Sequence, residues 1–476
     1  MDLEPLFPDR SSQEPLSHQL ARRLRTAIET GALTASARLL PSRELAARLG
    51  IGRNTVTAAI DQLIAEGYLQ ARVGSGTFVA SEVAPANSSV GVHSAYTAPA
   101  SAQRFINLRE LLDGFADHRE GALRIGSPDL AEFPAAAWKR LMRRHLERLG
   151  EHLDYGAATG YRPLREAIAQ HVRQFRGVSA QPHRVIVTEG TQGALTLACD
   201  VVASPGETVV IEDPCYHIAY AAIAARRLEI APVNVDDQGI DVSLAPAAKL
   251  AYVAPSHHFP LGGAMSLSRR KALLDWALAN DGYVLEDDYD SEYYFDARPL
   301  PALQSLDHWE RVIYIGSFSK TLAPGLRLGY LIVPEHLVGA FTAARAVCSL
   351  GGSNHLQAPL ADFLAEGHFA RHVRRMTGIY DVRRKAMLGA LAQGLDPSRF
   401  RVGPSQTGLH IAVLAPSDYD DVAATKRFSA TGAGRALSTY CIRRTDCRGF
   451  RLGYAAAPVE EVLAATNEFL AGLSAE

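Results

Sequence analysis

Residues 311–334 read RVIYIGSFSKTLAPGLRLGYLIVP. The apolar run RVIYIG ends in small polar residues, a Pro–Gly break follows, and LRLGYLIVP forms a second apolar run, so the spacing predicts two buried strands. Lys320 falls between them, just past the first strand and beside Ser317 and Ser319. Only six lysines occur, at 139, 249, 271, 320, 385 and 426. This one stands at the carboxyl end of a strand, where open α/β sheets hold their ligands.

Outward from this stretch, RVIVTEG (184–190), ETVVIEDP (207–214), LAYVAPS (250–256) and GYVLEDD (282–288) repeat the pattern and alternate with helical segments. Such alternation predicts an α/β domain with a mainly parallel central sheet. A long basic amphipathic stretch from about His368 through Val373 to Leu391 leads to GLHIAVLA and a last helix, which predicts a small C-terminal α+β subdomain. After GYVL, the run EDDYDSE places Glu286, Asp287, Asp288 and Asp290 around Tyr289. Four acids so close cannot all be buried unpaired, so some require cationic partners.

The front of the chain is built differently. Leu20, Leu24 and Ile28 recur at helical spacing before Gly31. Ser42 is placed to cap SRELAARLG, and a third helix from Arg53 carries Val56, Ile60, Leu63 and Ile64 on one face. YLQARV and GTFV then read as a hairpin. Arg53, Asn54, Thr55 and Thr57 lie at the amino-terminal end or polar side of the third helix, where amides, hydroxyls and a guanidinium suit phosphates and base edges. Residues 81–104, rich in Ser, Ala and Pro, lack any period and read as a flexible linker. The expected domains are 1–80, the linker 81–104, and 105–476.

The 476 residues are 47% hydrophobic and 21% charged, with 49 basic against 51 acidic side chains. This excludes a disordered chain, a uniformly basic nucleic-acid coat and a membrane protein. Any nucleic-acid surface is local: residues 11–80 carry eight arginines against five acids. Five scattered cysteines give neither a disulfide framework nor a CxxC pair, and MDLEPLFPDR has no secretory pattern, so a reducing, cytoplasmic location is expected. His257 and His258 have no third ligand at fitting spacing, so no metal is expected; they read as loop histidines beside the site.

Residues 39–80, from LLPSRELAARLG to GSGTFVA, resemble the winged helix-turn-helix of the GntR family. The resemblance implies that Arg43 and Arg53 contact phosphate or guanine, that Thr55 and Thr57 face the groove with Asn54, and that the wing, with Arg72, Ser75 and Gly76, reaches the minor groove of promoter DNA. The remainder resembles fold-type I pyridoxal phosphate enzymes. This implies that Lys320 binds the cofactor pyridoxal 5'-phosphate, that Asp287 pairs with its pyridine nitrogen, and that Tyr289 bonds its phenolic oxygen. Tyr216 would stack on the ring. Gly190, Thr191, Gln192, Ser317, Ser319 and Arg327 would hold the phosphate. Tyr155 would reach the phosphate of a partner subunit, implying a homodimer, and Arg451, with Arg435 as runner-up, would bind an acid group of the ligand.

Where aminotransferases of this fold carry NPxNPTG, this chain has PSHHFPLGG, with Phe259 in the place of the second asparagine. That segment, EDDYDSE and IGSFSKTLAPGLR resemble MocR/GabR-type regulators, which fuse the two modules. The resemblance implies a transcription regulator, with subunits paired head to tail, that senses an amine or amino acid, such as γ-aminobutyrate or a taurine-like acid, through external aldimine formation at Lys320. Efficient turnover is not expected, although half-reactions remain feasible. Two other readings stay open: an active aminotransferase carrying a DNA-binding module, and a regulator that responds to pyridoxal phosphate itself.

Overall fold

The computed structural model describes residues 6–9, 12, 14–72, 74–81, 99–116, 121–296, 301–428 and 436–474. The chain divides into two compact units, Met1–Pro99 and Ala100–Glu476.

In the front unit, α1 (Leu16–Glu29), α2 (Ser42–Leu49) and α3 (Arg53–Ala65) precede the strands β1 (Leu69–Arg72) and β2 (Gly76–Val79). Leu20, Leu24, Leu45, Val56, Leu63 and Val79 are buried together, as the helical spacing predicts. The Ser42 cap is corrected: Pro41 occupies the cap position, with φ -52 and ψ 140, and no side chain caps α2. Ser42 is already helical and lacks the extended backbone that a cap requires. Gly50, at φ 65, closes α2 in the left-handed region that glycine adopts without a steric penalty. β1 and β2 pair antiparallel, with Arg72 opposite Gly76 across the wing turn.

The rear unit begins with α4 (Ala100–Ala116), so residues 100–104, read as the end of the linker, are helical. Residues 82–98 of that linker lie outside the described residues. Then follow α5 (Ala135–Leu146), α6 (Arg162–Arg176), β3 (Val185–Thr188), α7 (Gly190–Val202), β4 (Thr208–Asp213), α8 (His217–Ala224), β5 (Glu229–Asp236), β6 (Gly239–Ile240), β7 (Leu250–Val253), α9 (Leu267–Ala279), β8 (Tyr283–Asp288), β9 (Val312–Ser317) and β10 (Gly329–Ile332). The eight strands form one sheet in the order β3-β10-β9-β8-β7-β4-β5-β6. Pairing is parallel from β9 through β5, and β10 runs antiparallel to both its neighbours.

The four strands β3, β4, β7 and β9 are almost wholly buried because helices cover both faces of the sheet. The core is accordingly split between one cluster with Ile186, Leu195, Ile211 and Ile313 and two with Val187, Leu164 and Tyr314 or Val210, Val253 and Leu273. Then come α10 (Val338–Ser349), α11 (Asn354–Ala365) and α12 (His368–Gly394). The antiparallel strands β11 (Arg401–Val402), β12 (His410–Ala415) and β13 (Arg448–Gly453), with α13 (Asp421–Arg427) and α14 (Val459–Ser474), complete the α+β subdomain. Among the described residues no helix is long and apolar enough to cross a membrane.

Candidate functional site

Strand register brings the sequence motifs together. Thr188 of β3 pairs with Gly329 of β10, Gly329 with Ser317 of β9, and Gly316 with Asp288 of β8. The carboxyl ends of β3, β9 and β8 therefore lie along one edge of the sheet, with β10 between β3 and β9, and the turns after them meet over that edge. A Cβ on Gly329 would stand 2.9 Å from the backbone of Gly190, so only glycine lets α7 start this close to β10.

Over this edge lies a cavity of about 910 Å³. Lys320, Asp287, Tyr289 and Tyr216 line it, as do Thr191, Gln192, Ser317, Ser319, Arg327 and Arg451. Gly190 stands behind that wall as the first residue of α7, at φ 75. Tyr155 is elsewhere, 85% exposed. Arg435 lies outside the described residues.

The acidic run is resolved by strand alternation. Glu286 and Asp288 point to one face of β8, Asp287 to the other. Asp288 receives Arg176 Nε at 2.8 Å and the Tyr314 hydroxyl at 2.7 Å, and the arginine holds its carboxyl below the usual range against the cost of burial. Glu286 accepts the amides of Leu303 and Gln304 at 2.7 and 2.8 Å, while burial lifts its pKa to about 7. Asp290 takes His257 Nδ1 at 2.8 Å. Asp287 accepts only the Tyr252 hydroxyl, at 2.6 Å, and its Oδ1 is buried with no hydrogen-bond partner among the described residues. Burial lifts the Asp287 pKa to about 7.

Burial, aided by the nearby Arg451 charge, depresses the Lys320 pKa to about 8. About a tenth of its amine is therefore neutral near pH 7, far more than for an ordinary lysine, and attack on an aldehyde requires that form. The amine donates to the carbonyl of Gly126. Beyond β9, Ser319 N donates to Ser317 Oγ at 3.1 Å, and Arg327, left-handed at φ 52, donates to Glu189 O at 2.9 Å. Gln192 Nε2 at the start of α7 is buried without a hydrogen-bond partner among the described residues. The donor set fits pyridoxal phosphate: a nucleophilic amine, a carboxylate oxygen awaiting an N–H, and hydroxyls, amides and a guanidinium for a dianion at a helix N-terminus.

Arg451 comes from β13 and is 3% exposed, with Nε and Nη1 unpartnered among the described residues. Its guanidinium stacks over Phe259, which also meets Tyr216 and Tyr440 edge-on with centroids 5.2 Å away in each case. Two buried donors facing a cavity call for an anion. Phe259 thus fills the asparagine position with an aromatic platform for that arginine. His257 and His258 lie in the loop after β7, both buried, at 2% and 3% exposure; neither lines this cavity, but His257 packs against Tyr289 and Asp290, which do. His257 backs the Tyr289 hydroxyl, which donates to its carbonyl at 3.0 Å. The fold also supplies the further ligands that spacing did not reveal, since ligand atoms of His257, Asp290 and His410 lie within 4.8 Å of one another. Asp290 is bonded to His257 Nδ1 and His410 Nε2 lies 3.1 Å from Pro260 O, while His257 Nε2 is buried without a hydrogen-bond partner among the described residues.

Sequence reading missed Gly126, Tyr252, Tyr440 and Arg176. Tyr252 sits inside the strand run LAYVAPS and the other three in no motif; each reaches the site or its supports through the fold.

In the front unit Arg43, Arg53, Asn54 and Thr57 are exposed and Thr55 is half-buried, all on or beside the start of α2 and α3. On the wing, Ser75 N donates to Arg72 O at 2.9 Å, Arg72 lies over the Phe78 ring, and Gly76 has φ 111. This surface offers cations and hydroxyls at helix N-termini.

Residues 122–440 match the aminotransferase class I and II family, and residues 16–79 match the bacterial regulatory proteins of the gntR family. The probable rhizopine catabolism regulatory protein MocR of Rhizobium meliloti is 39% identical over 394 residues, covering 80% of this chain and 78% of that protein. The pyridoxine biosynthesis transcriptional regulator PdxR of Corynebacterium glutamicum is 31% identical, covering 86% of this chain and 85% of its own. Among solved structures, the Pyrococcus horikoshii kynurenine aminotransferase bound to PMP aligns at a TM-score of 0.69 and 26% identity over 78% of this chain and 94% of that one. LysN of Thermus thermophilus, an α-aminoadipate aminotransferase, aligns at 0.70 and 26% identity over 79% of this chain and 97% of its own.

Proposed function

The chain belongs to the MocR-like transcription regulators, a GntR helix-turn-helix joined to a class I/II aminotransferase domain, and on that premise we propose that it senses an amine or amino acid through pyridoxal phosphate at Lys320. The observation that carries this reading is that one cavity contains both a lysine with a depressed pKa and the unpartnered Oδ1 of Asp287. When bound, the cofactor supplies an electrophilic aldehyde and an electron-withdrawing ring.

The chain's own groups then divide the work. Lys320 would hold the cofactor through its amine. Asp287 would hold a proton on the ring nitrogen, with Tyr289 for the phenolic oxygen and Tyr216 for the ring face. Ser317, Ser319, Arg327 and the start of α7 at Gly190, Thr191 and Gln192 bind the phosphate. Tyr155, so exposed in one chain, is supplied to the site of a second copy in a head-to-tail homodimer. Arg451 takes an acid group of the effector, and its two unpartnered nitrogens favour an amino acid over the cofactor alone as the signal. With Phe259 in place of an asparagine donor, efficient turnover is not part of this reading. Effector binding acts on promoter DNA through Arg43, Arg53, Asn54, Thr55, Thr57 and the wing of Arg72, Ser75 and Gly76, by differing affinity for two arrangements of the chain.

The test reconstitutes the protein with pyridoxal phosphate, reduces it with borohydride and maps the label. A parallel titration follows absorbance and promoter binding as ω-amino acids are added. Label on Lys320, an absorbance shift and altered DNA binding without accumulating keto acid are expected. Label elsewhere overturns the site; steady conversion of many ligand equivalents overturns the regulator reading.

A further inference from the structure

We propose that Cys441 and Cys447 form a reversible disulfide, making the loop between them an oxidation site for peroxide. The two thiols come from either end of the segment CIRRTDC: Cys441 ends the short turn Leu437–Tyr440, and Cys447 directly precedes β13. Both pack in the same small apolar cluster with Leu437, Ala412 and Leu414. The Cys441 thiol points at the carbonyl of Cys447, at 4.0 Å, and at that of Leu437, at 3.8 Å.

The loop is held in this closed form before any bond forms. The backbone amides of Ile442, Arg443 and Arg444 all donate to the Asp213 carboxylate, at 2.9, 2.8 and 3.0 Å. Cys215 N donates to Tyr440 O at 3.0 Å on the same side. A pinned loop has little chain entropy left to lose on cross-linking, so ring closure works against a small barrier.

Access and reactivity differ between the two sulfurs. Cys447 is 4% exposed to the surroundings of the folded chain but lines a second cavity of about 790 Å³, wide enough for hydrogen peroxide. The hydrogen bond from Cys441 and the charge of Arg444 hold its thiol below the usual cysteine range, whereas the Cys441 thiol is raised. Cys447, the thiol that lines this cavity, is assigned as the attacking thiolate and Cys441 as the resolving thiol.

The chemistry balances with peroxide as oxidant. Cys447 sulfur attacks one peroxide oxygen, the O–O bond breaks, and the departing hydroxide takes a proton to leave as water. Cys441 sulfur then attacks the sulfenic sulfur, the S–O bond breaks, and a second water leaves with the Cys441 proton. Two thiols lose two electrons and one peroxide gains them. Thiol reductants reverse the bond.

Trypsin cuts after Arg443 and Arg444, so the reduced protein gives Cys441 and Cys447 on separate peptides, residues 436–443 and 445–448. The full-length protein is treated with hydrogen peroxide, alkylated and digested, with exposed Cys348 as an internal reference. The expected result is a linked peptide pair that appears before Cys348 is consumed and disappears with dithiothreitol. In Cys441→Ser, dimedone should instead trap a sulfenic acid on Cys447. The proposal is overturned if both peptides are recovered only singly alkylated at peroxide doses that oxidise Cys348, or if Cys441→Ser takes up no dimedone at Cys447.

Discussion

The guanidinium carbon of Arg451 lies 3.8 Å from the centroid of the Phe259 ring. A cation on an aromatic face at a buried site is worth about 1–2 kcal/mol. Phe259→Leu keeps the apolar volume and removes the ring, so effector affinity should fall roughly five- to thirty-fold. Cofactor retention should not change. Calorimetric titration with the effector, beside absorbance of the bound cofactor, separates the two.

Asp287→Asn keeps the shape and can still accept from Tyr252, but it has no charge to offer a pyridinium. Hydrogen bonds to charged groups contribute about 1.5–3 kcal/mol, so the cofactor should bind roughly ten- to a hundred-fold more weakly. Equilibrium dialysis against pyridoxal phosphate reads this directly.

The depressed Lys320 pKa sets a pH profile. Only the neutral amine attacks an aldehyde, so the rate of cofactor uptake by the apoprotein should rise with pH and level off above about 8. A lysine at its ordinary value would keep gaining up to about pH 10.4. Stopped-flow absorbance across that range distinguishes the two curves.

Arg176→Met leaves Asp288 buried with only neutral partners. Breaking a buried ion pair from one side costs about 3–5 kcal/mol, which should lower the urea midpoint of the rear unit. The double variant Arg176→Met with Asp288→Asn should recover most of the loss. The front unit serves as the internal control in the same melt.

Arg53→Ala should weaken promoter binding by about 1–3 kcal/mol if the guanidinium makes a bidentate base contact. Arg43→Ala should instead act alike on specific and random DNA and reduce the salt slope. Fluorescence anisotropy at two salt concentrations distinguishes these contributions.

Residues whose role is local were legible in the sequence. Lys320, Asp287 and the front helices each sit in a short pattern whose period or punctuation fixes their element. β5 went unread because Pro232 interrupts it; the structure tolerates that proline because β6 pairs only with Val235 and Asp236 farther along, leaving Pro232 on an open edge. The partner of Asp288 could not be read, because Arg176 is 112 residues away and meets it only through the packing of α6 on the sheet. The Phe259 substitution was visible as a lost donor, but its stacking on Arg451 depends on how β13 packs beside the large sheet.

The contact between Lys320 and the carbonyl of Gly126 sets a condition on loading. An amine spends its hydrogens when it condenses with an aldehyde, so a charged site leaves that carbonyl in need of another donor. The backbone near residue 126 should then differ between filled and empty proteins, and amide exchange there should record occupancy without any absorbance reading.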